Sequence, residues 1–211
     1  LKIAAQEMKV AFASKAETMI HGDLHTGSIM VRGGESRVID PEFAVYGPMG
    51  FDVGMLIANF LMAYFAQPGH EDAPGARAGY QDWLLDGAAE IWREFEAEFT
   101  RLWRSERAGI LHDRRVYEGQ GDMLAAEQAR LTRLAAIRAD AMGTMGVEMH
   151  RRILGLAHNA DFEDIADPDR RAACEAPALR LGRALAVHRG EIGAMDTVLD
   201  LARTLQAEAR P

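Results

Sequence analysis

Apolar and polar positions along this chain follow two different periods, and the change of period divides it. Over residues 2–18, Ile3, Met8 and Phe12 recur among many alanines. That spacing predicts a helix leading into Met19 and Ile20. Two short apolar runs follow, at residues 29–31 and 37–39, joined by Arg32-Gly33-Gly34-Glu35-Ser36. A Gly-Gly centre between two such runs predicts a β-hairpin, its strands buried. Gly47-Pro48-Met49-Gly50 reads as a turn. Beyond it the period is helical. Residues 51–67 are almost continuously apolar and end at Pro68. In residues 81–104, Leu84, Ala88, Ile91, Phe95, Phe99 and Leu102 fall three and four apart, one face of an amphipathic helix. After a break at residues 119–122, Asp122 is placed as an N-cap. Leu124, Leu131, Leu134 and Ile137 continue the pattern, and residues 142–158 are helix-compatible. Asp167-Pro168 reads as an N-cap with proline in the first turn of a helix to about His188. A last helix is predicted over residues 191–207. The expected architecture is mainly α: one β-hairpin inserted near the start of a helical bundle.

Composition narrows the setting. The 211 residues are 48% hydrophobic and 27% charged, as in a globular protein with a sizeable core. The net charge of −8 argues against a nucleic-acid backbone or an anionic membrane as partner. A single cysteine, Cys174, excludes an internal disulfide and favours a reducing, cytoplasmic setting. No signal peptide is evident. The longest apolar run, residues 55–66, is interrupted by Asn59 and falls short of the roughly 20 residues of a membrane helix.

The chemistry concentrates between Met19 and Gly54. His21-Gly22-Asp23-Leu24-His25 precedes the hairpin, and Asp40-Pro41-Glu42-Phe43 follows it. Taken singly, Asp23 and Asp40 read as turn or cap residues. A hairpin brings its two ends together, however, and three converging carboxylates need a cation or a proton between them. Mg²⁺ suits such oxygen ligands. Protein kinases share this layout: one Asp accepts the proton of the attacking hydroxyl, a residue five positions on contacts metal, and a second Asp beyond a hairpin holds Mg²⁺. Here those positions are Asp23, Ser28 and Asp40. Ser28 stands where kinases carry Asn and is the poorer ligand.

The run His21-Gly22-Asp23-Leu24-His25-Thr26-Gly27-Ser28-Ile29-Met30 resembles the catalytic loop of the 5-methylthioribose kinase family, within the aminoglycoside phosphotransferase and choline kinase group. Asp40-Pro41-Glu42-Phe43-Ala44, residues 47–54 and residues 146–158 resemble the same family. The resemblance implies the helical C-terminal lobe of a protein-kinase-like fold, spanning residues 1–211. The nucleotide-binding lobe that carries the glycine-rich loop would precede residue 1, and the lobe alone would transfer phosphate poorly. It implies ATP-dependent phosphorylation of the C1 hydroxyl of 5-methylthioribose in methionine salvage. Asp23 would be the catalytic base, and Asp40 and Glu42, with Ser28, would bind Mg²⁺. Arg151 and Arg152 would approach the sugar and the phosphoryl group. His21 and Asp52 would brace the catalytic loop. A homodimer is also implied.

Two other readings compete. Choline, aminoglycoside and homoserine kinases share the Asp-and-hairpin chemistry. A metal-dependent hydrolase could use His21, Asp23 and His25 at i, i+2 and i+4. One geometric expectation also counts against the arginine pair: neighbours on a helix point about 100° apart, so Arg151 and Arg152 are not expected to share one surface.

Overall fold

The computed structural model describes residues 1–209. Helix α1 (Lys2–Ser14) is shorter than the periodicity predicts. The chain leaves it and enters a strand, β1 (Thr18–Ile20). That strand pairs antiparallel with β4 (Val45–Gly47), setting Thr18 opposite Gly47 and Ile20 opposite Val45. The partner lies some way along the chain, so local periodicity could not reveal it. The expected hairpin forms between β2 (Ile29–Arg32) and β3 (Glu35–Val38), with Arg32 opposite Glu35. Its turn is two residues rather than five. Gly33 and Gly34 have φ of 56° and 83°, the positive pair that a tight hairpin turn demands. There are thus two small two-stranded sheets among the described residues, not one hairpin.

The strands are not buried, contrary to expectation. Met30 is 61% exposed and Val31 73%. Burial belongs to the helices. Helix α2 (Phe51–Ala66) is apolar on nearly every face because it runs through the core, where Ile57, Leu61, Met62 and Phe65 are fully buried. Helix α3 (Ala78–Ser105) lays its apolar stripe on α2 and sheds its charges outward. Helix α4 (Met123–Leu154) is one unbroken helix of 32 residues that takes in the less regular stretch from Met142 and ends short of the expected His158. Asp122 caps it, accepting from the Ala125 N–H at 2.9 Å.

Helix α5 (Ala160–Glu163) is a single turn. Helix α6 (Pro168–Val187) begins at the Asp167 cap, which accepts from the Arg170 N–H at 2.8 Å. It crosses α4 closely: a Cβ on Gly146 would lie 2.4 Å from the Gly182 carbonyl oxygen. Helix α7 (Met195–Ala209) starts four residues later than expected. The N–H groups of Glu191 and Ile192 turn back to the His188 carbonyl and close α6 instead. The result is the mainly α lobe that the pattern predicts, with both small sheets gathered near the start of the chain. No helix among the described residues is long and apolar enough to cross a membrane.

Candidate active site

The loop between β1 and β2 is held by backbone and side-chain hydrogen bonds rather than by packing. Gly22 has φ +87°, and a Cβ there would fall 2.3 Å from the Phe43 carbonyl oxygen, so glycine alone fits. Asp52, in the first turn of α2, accepts from the N–H of His21 (2.5 Å) and of Gly22 (3.1 Å). The His21 ring lies between two main-chain groups. Its Nδ1 accepts from the Asp23 N–H at 3.3 Å, and its Nε2 faces the Ile39 carbonyl at 2.8 Å. The tautomer that satisfies both carries its proton on Nε2. His21 therefore ties the loop to the residue just before Asp40.

Ser28 is buried, and its hydroxyl donates to the Asp23 carbonyl at 3.1 Å. Its own carbonyl accepts from the Ile39 N–H at 2.9 Å. The hydroxyl proton is thus engaged inside the loop, and Ser28 knits together the two segments that carry Asp23 and Asp40.

Asp23 stands at the mouth of this loop. Its Oδ1 lies 3.7 Å from Nη2 of Arg151 and 3.7 Å from Nη2 of Arg152. Its Oδ2 lies 3.6 Å from Nε2 of His25. Both arginines thus reach one carboxylate, which the 100° rule argued against. The cause is Glu148, a residue the sequence reading did not single out. It accepts from Arg151 Nε (2.7 Å) and Nη2 (2.9 Å), and from Arg152 Nε (2.7 Å). Residues three and four positions on lie about 60° to one side and about 40° to the other of Glu148, so long side chains on both can fold onto it. The available signal was the spacing itself: Glu at i, Arg at i+3 and i+4, on a stretch rich in glycine.

Asp40 and Glu42 are exposed and make no hydrogen bond or ion pair with another described residue. Asp40 has φ +63°, and the Ala44 N–H returns to the Pro41 carbonyl in a tight turn. The expected convergence of three carboxylates is not seen. Among the described residues, no group of three or more His, Cys, Asp or Glu is placed to hold a metal ion. The same finding removes the geometric basis of a His21/Asp23/His25 hydrolase, because the His21 ring is spent on Ile39 and Asp23.

Beside Asp23 opens a cavity of about 490 Å³. Its lining combines two kinds of surface. Asp23, Glu148 and Arg151 form one charged cluster, with Lys9 also in the wall. Met8, Phe12, Phe43, Phe51 and Met55 form an apolar set, in which the Phe12 and Phe51 rings lie 4.9 Å apart. The contribution of α1 to this wall was not legible beforehand. The tryptophans of α3 are elsewhere: Trp92 is buried and donates to Glu96, whereas Trp83 is exposed and stacks on Tyr80.

A loop carrying Asp23, anchored from the next helix and followed by a hairpin and two exposed carboxylates, has the order of parts that the sequence motifs share with phosphotransferases. Residues 1–91 match the APH family, described as phosphotransferase enzyme family. The particular likeness is to methylthioribose kinases, to which the chain is homologous along almost its whole length. It is 38% identical over 201 residues to methylthioribose kinase 1 of Oryza sativa subsp. japonica, covering 94% of this chain and 46% of that protein. It is 39% identical over 199 residues to methylthioribose kinase of Escherichia coli O45:K1 (strain S88 / ExPEC), covering 94% and 47%. With the Geobacillus thermodenitrificans enzyme the figures are 40% over 192 residues, 91% and 43%. The chain therefore spans about half the length of the curated relatives it matches. The likeness read from the loop motifs is borne out.

Proposed function

We propose that these residues form the catalytic and sugar-binding lobe of an ATP-dependent kinase that phosphorylates the C1 hydroxyl of 5-methylthioribose. The observation that carries this reading is the cavity beside Asp23. A sugar bearing a thioether needs polar partners for its hydroxyls and apolar surface for its methylthio end. The charged cluster of Asp23, Glu148 and Arg151 offers the first, and the Met8, Phe12, Phe43, Phe51 and Met55 surface the second.

The chemistry follows from the residues. Asp23 accepts the proton of the attacking hydroxyl, and the Asp52 and His21 hydrogen bonds hold it in place for that transfer. Arg151 and Arg152 present guanidinium N–H groups to the charge that builds on the phosphoryl oxygens. Asp40 and Glu42 have the hard oxygen donors, uncommitted to other groups, that suit Mg²⁺, and would hold it with the nucleotide phosphates. When bound, the ion offsets phosphate charge. Ser28 acts as a brace of the loop, its proton being committed to the Asp23 carbonyl. ATP is the expected phosphoryl donor.

The test is ATP consumption by the intact gene product with 5-methylthioribose and Mg²⁺. Turnover should require the sugar, and Asp23→Asn should lower kcat by roughly 10²- to 10⁴-fold. ATP consumption without the sugar, or an Asp23→Asn enzyme as fast as the parent, would sink the proposal. Faster turnover of choline or an aminoglycoside would replace the substrate and leave the class standing.

A further inference from the structure

Arg151 and Arg152 could face Asp23 only if something gathers them. Left to themselves, adjacent helical side chains diverge by about 100°. Glu148 is placed to do this. Its side chain is 5% exposed, and three arginine N–H groups converge on its two oxygens at 2.7–2.9 Å. A buried carboxylate with one partner removed is a strongly unfavourable arrangement. Here the charge is matched twice, by two guanidiniums that in turn approach a second carboxylate, Asp23. The cluster contains two negative and two positive groups.

The hydrogen bonds also decide which edges of the arginines remain available. Glu148 takes Nε of both, and Nη2 of Arg151 as well. It leaves the terminal fork of Arg152 uncommitted to Glu148, with its Nη2 3.7 Å from Oδ1 of Asp23, while Arg151 faces the same oxygen, also at 3.7 Å, through the Nη2 that Glu148 shares. Those N–H groups are the ones an incoming phosphoryl group needs.

We propose that Glu148 is a positioning residue for the reaction: it gathers Arg151 and Arg152 onto one side of α4 and turns their guanidinium groups to Asp23. This rests on the phosphotransfer reading above, and on no particular sugar. Glu148 transfers no proton and touches no transferred atom. Its effect runs through the two arginines.

That dependence gives the test its form. Glu148→Gln keeps the shape but removes the charge and one acceptor oxygen. In the intact gene product it should lower kcat by about 10²-fold, the size expected for losing oriented charge at a phosphoryl group, and change the KM for ATP less than threefold. The same change placed on an Arg151→Ala/Arg152→Ala background should cost less than twofold further, because the groups it positions are gone. Glu148→Asp, which keeps the charge but is one methylene shorter, should recover part of the loss. A readout independent of turnover is the arginine side-chain NMR spectrum, where Glu148→Gln should shift two Nε–H resonances. Equal costs of Glu148→Gln with and without the arginines would overturn the proposal. So would a fall in the melting temperature that accounts for the lost activity. If the parent protein proves inactive on every alcohol tried, the phosphotransfer reading fails. The two Nε–H resonances still report whether Glu148 gathers the arginines.

Discussion

Two regions of this molecule are built on opposite principles. The helices α2, α4 and α6 are held by apolar burial: Ile57, Phe65, Met142, Met145, Leu181 and Leu185 are entirely shielded from water. The segment from β1 to β4 is thin and exposed, with Met30, Val31 and Val38 in the open. What fixes its shape is a handful of directed bonds: Asp52 to His21 and Gly22, His21 to Ile39, Ser28 to Asp23. Apolar contact is non-directional and scales with area. It places elements but does not aim a carboxylate. Hydrogen bonds aim well but contribute only about 1 kcal/mol each net of water. The site is thus aimed by one kind of force and carried by the other.

If this division is right, damage to the bundle should appear as lost stability and damage to the loop as lost rate. The largest stability effect is expected from Gly146→Leu. No side chain fits between α4 and the Gly182 carbonyl on α6, so the helices must separate. Overpacking of this kind costs about 3 kcal/mol. For a chain of this size that is a fall in Tm of roughly 6–12 °C. Thermal unfolding followed by circular dichroism reads it directly. A variant that melts with the parent would show that the bundle tolerates what its geometry forbids.

Asp52→Asn probes the other side. The amide keeps the size of the side chain, but one of its two positions becomes an N–H donor facing the backbone N–H of His21 or Gly22. The loop should shift by a fraction of an ångström, and kcat should fall about 10- to 100-fold. The global Tm should move by less than about 4 °C, because little apolar surface is disturbed. Steady-state kinetics beside a melting curve separates the two. Unchanged kcat with a large drop in Tm would mean that Asp52 supports the fold, not the aim of the loop.

The contrast also explains what could be read from the sequence. The bundle was legible because periodicity is a local record of which face is buried. Leu84 to Leu102 reveals α3 without knowledge of its partner. The loop chemistry was legible as a set of residue types, because Asp23, Asp40, Glu42 and the Arg151/Arg152 pair sit in family-like motifs. What periodicity could not supply were relations across the chain. The pairing of Ile20 with Val45 leaves no local trace. Glu148 reads as one more charge on a helix until two arginines are seen folded onto it. The hairpin strands were expected to be buried because they are apolar, yet apolar composition alone does not say what covers them.

The smallest effect is expected where the backbone alone is at stake, and it sharpens the contrast within the loop region itself. Gly34 has φ +83° and Gly22 has φ +87°, nearly the same left-handed conformation. A Cβ at Gly34 would meet nothing within 4 Å, whereas one at Gly22 would meet the Phe43 carbonyl at 2.3 Å. Alanine at either position carries the same conformational cost, about 1–2 kcal/mol. Only at Gly22 is there an added collision, and it pushes on the residue beside Glu42 and on the loop that holds Asp23. Gly34→Ala should therefore lower Tm by a few degrees at most and leave kcat within twofold of the parent. Gly22→Ala, of like intrinsic strain, should lose most of its activity. The pair subtracts strain from collision. If Gly34→Ala were as inactive as Gly22→Ala, the exposed hairpin would be part of the catalytic machinery rather than a turn at its edge, and the division between the two regions would have to be redrawn.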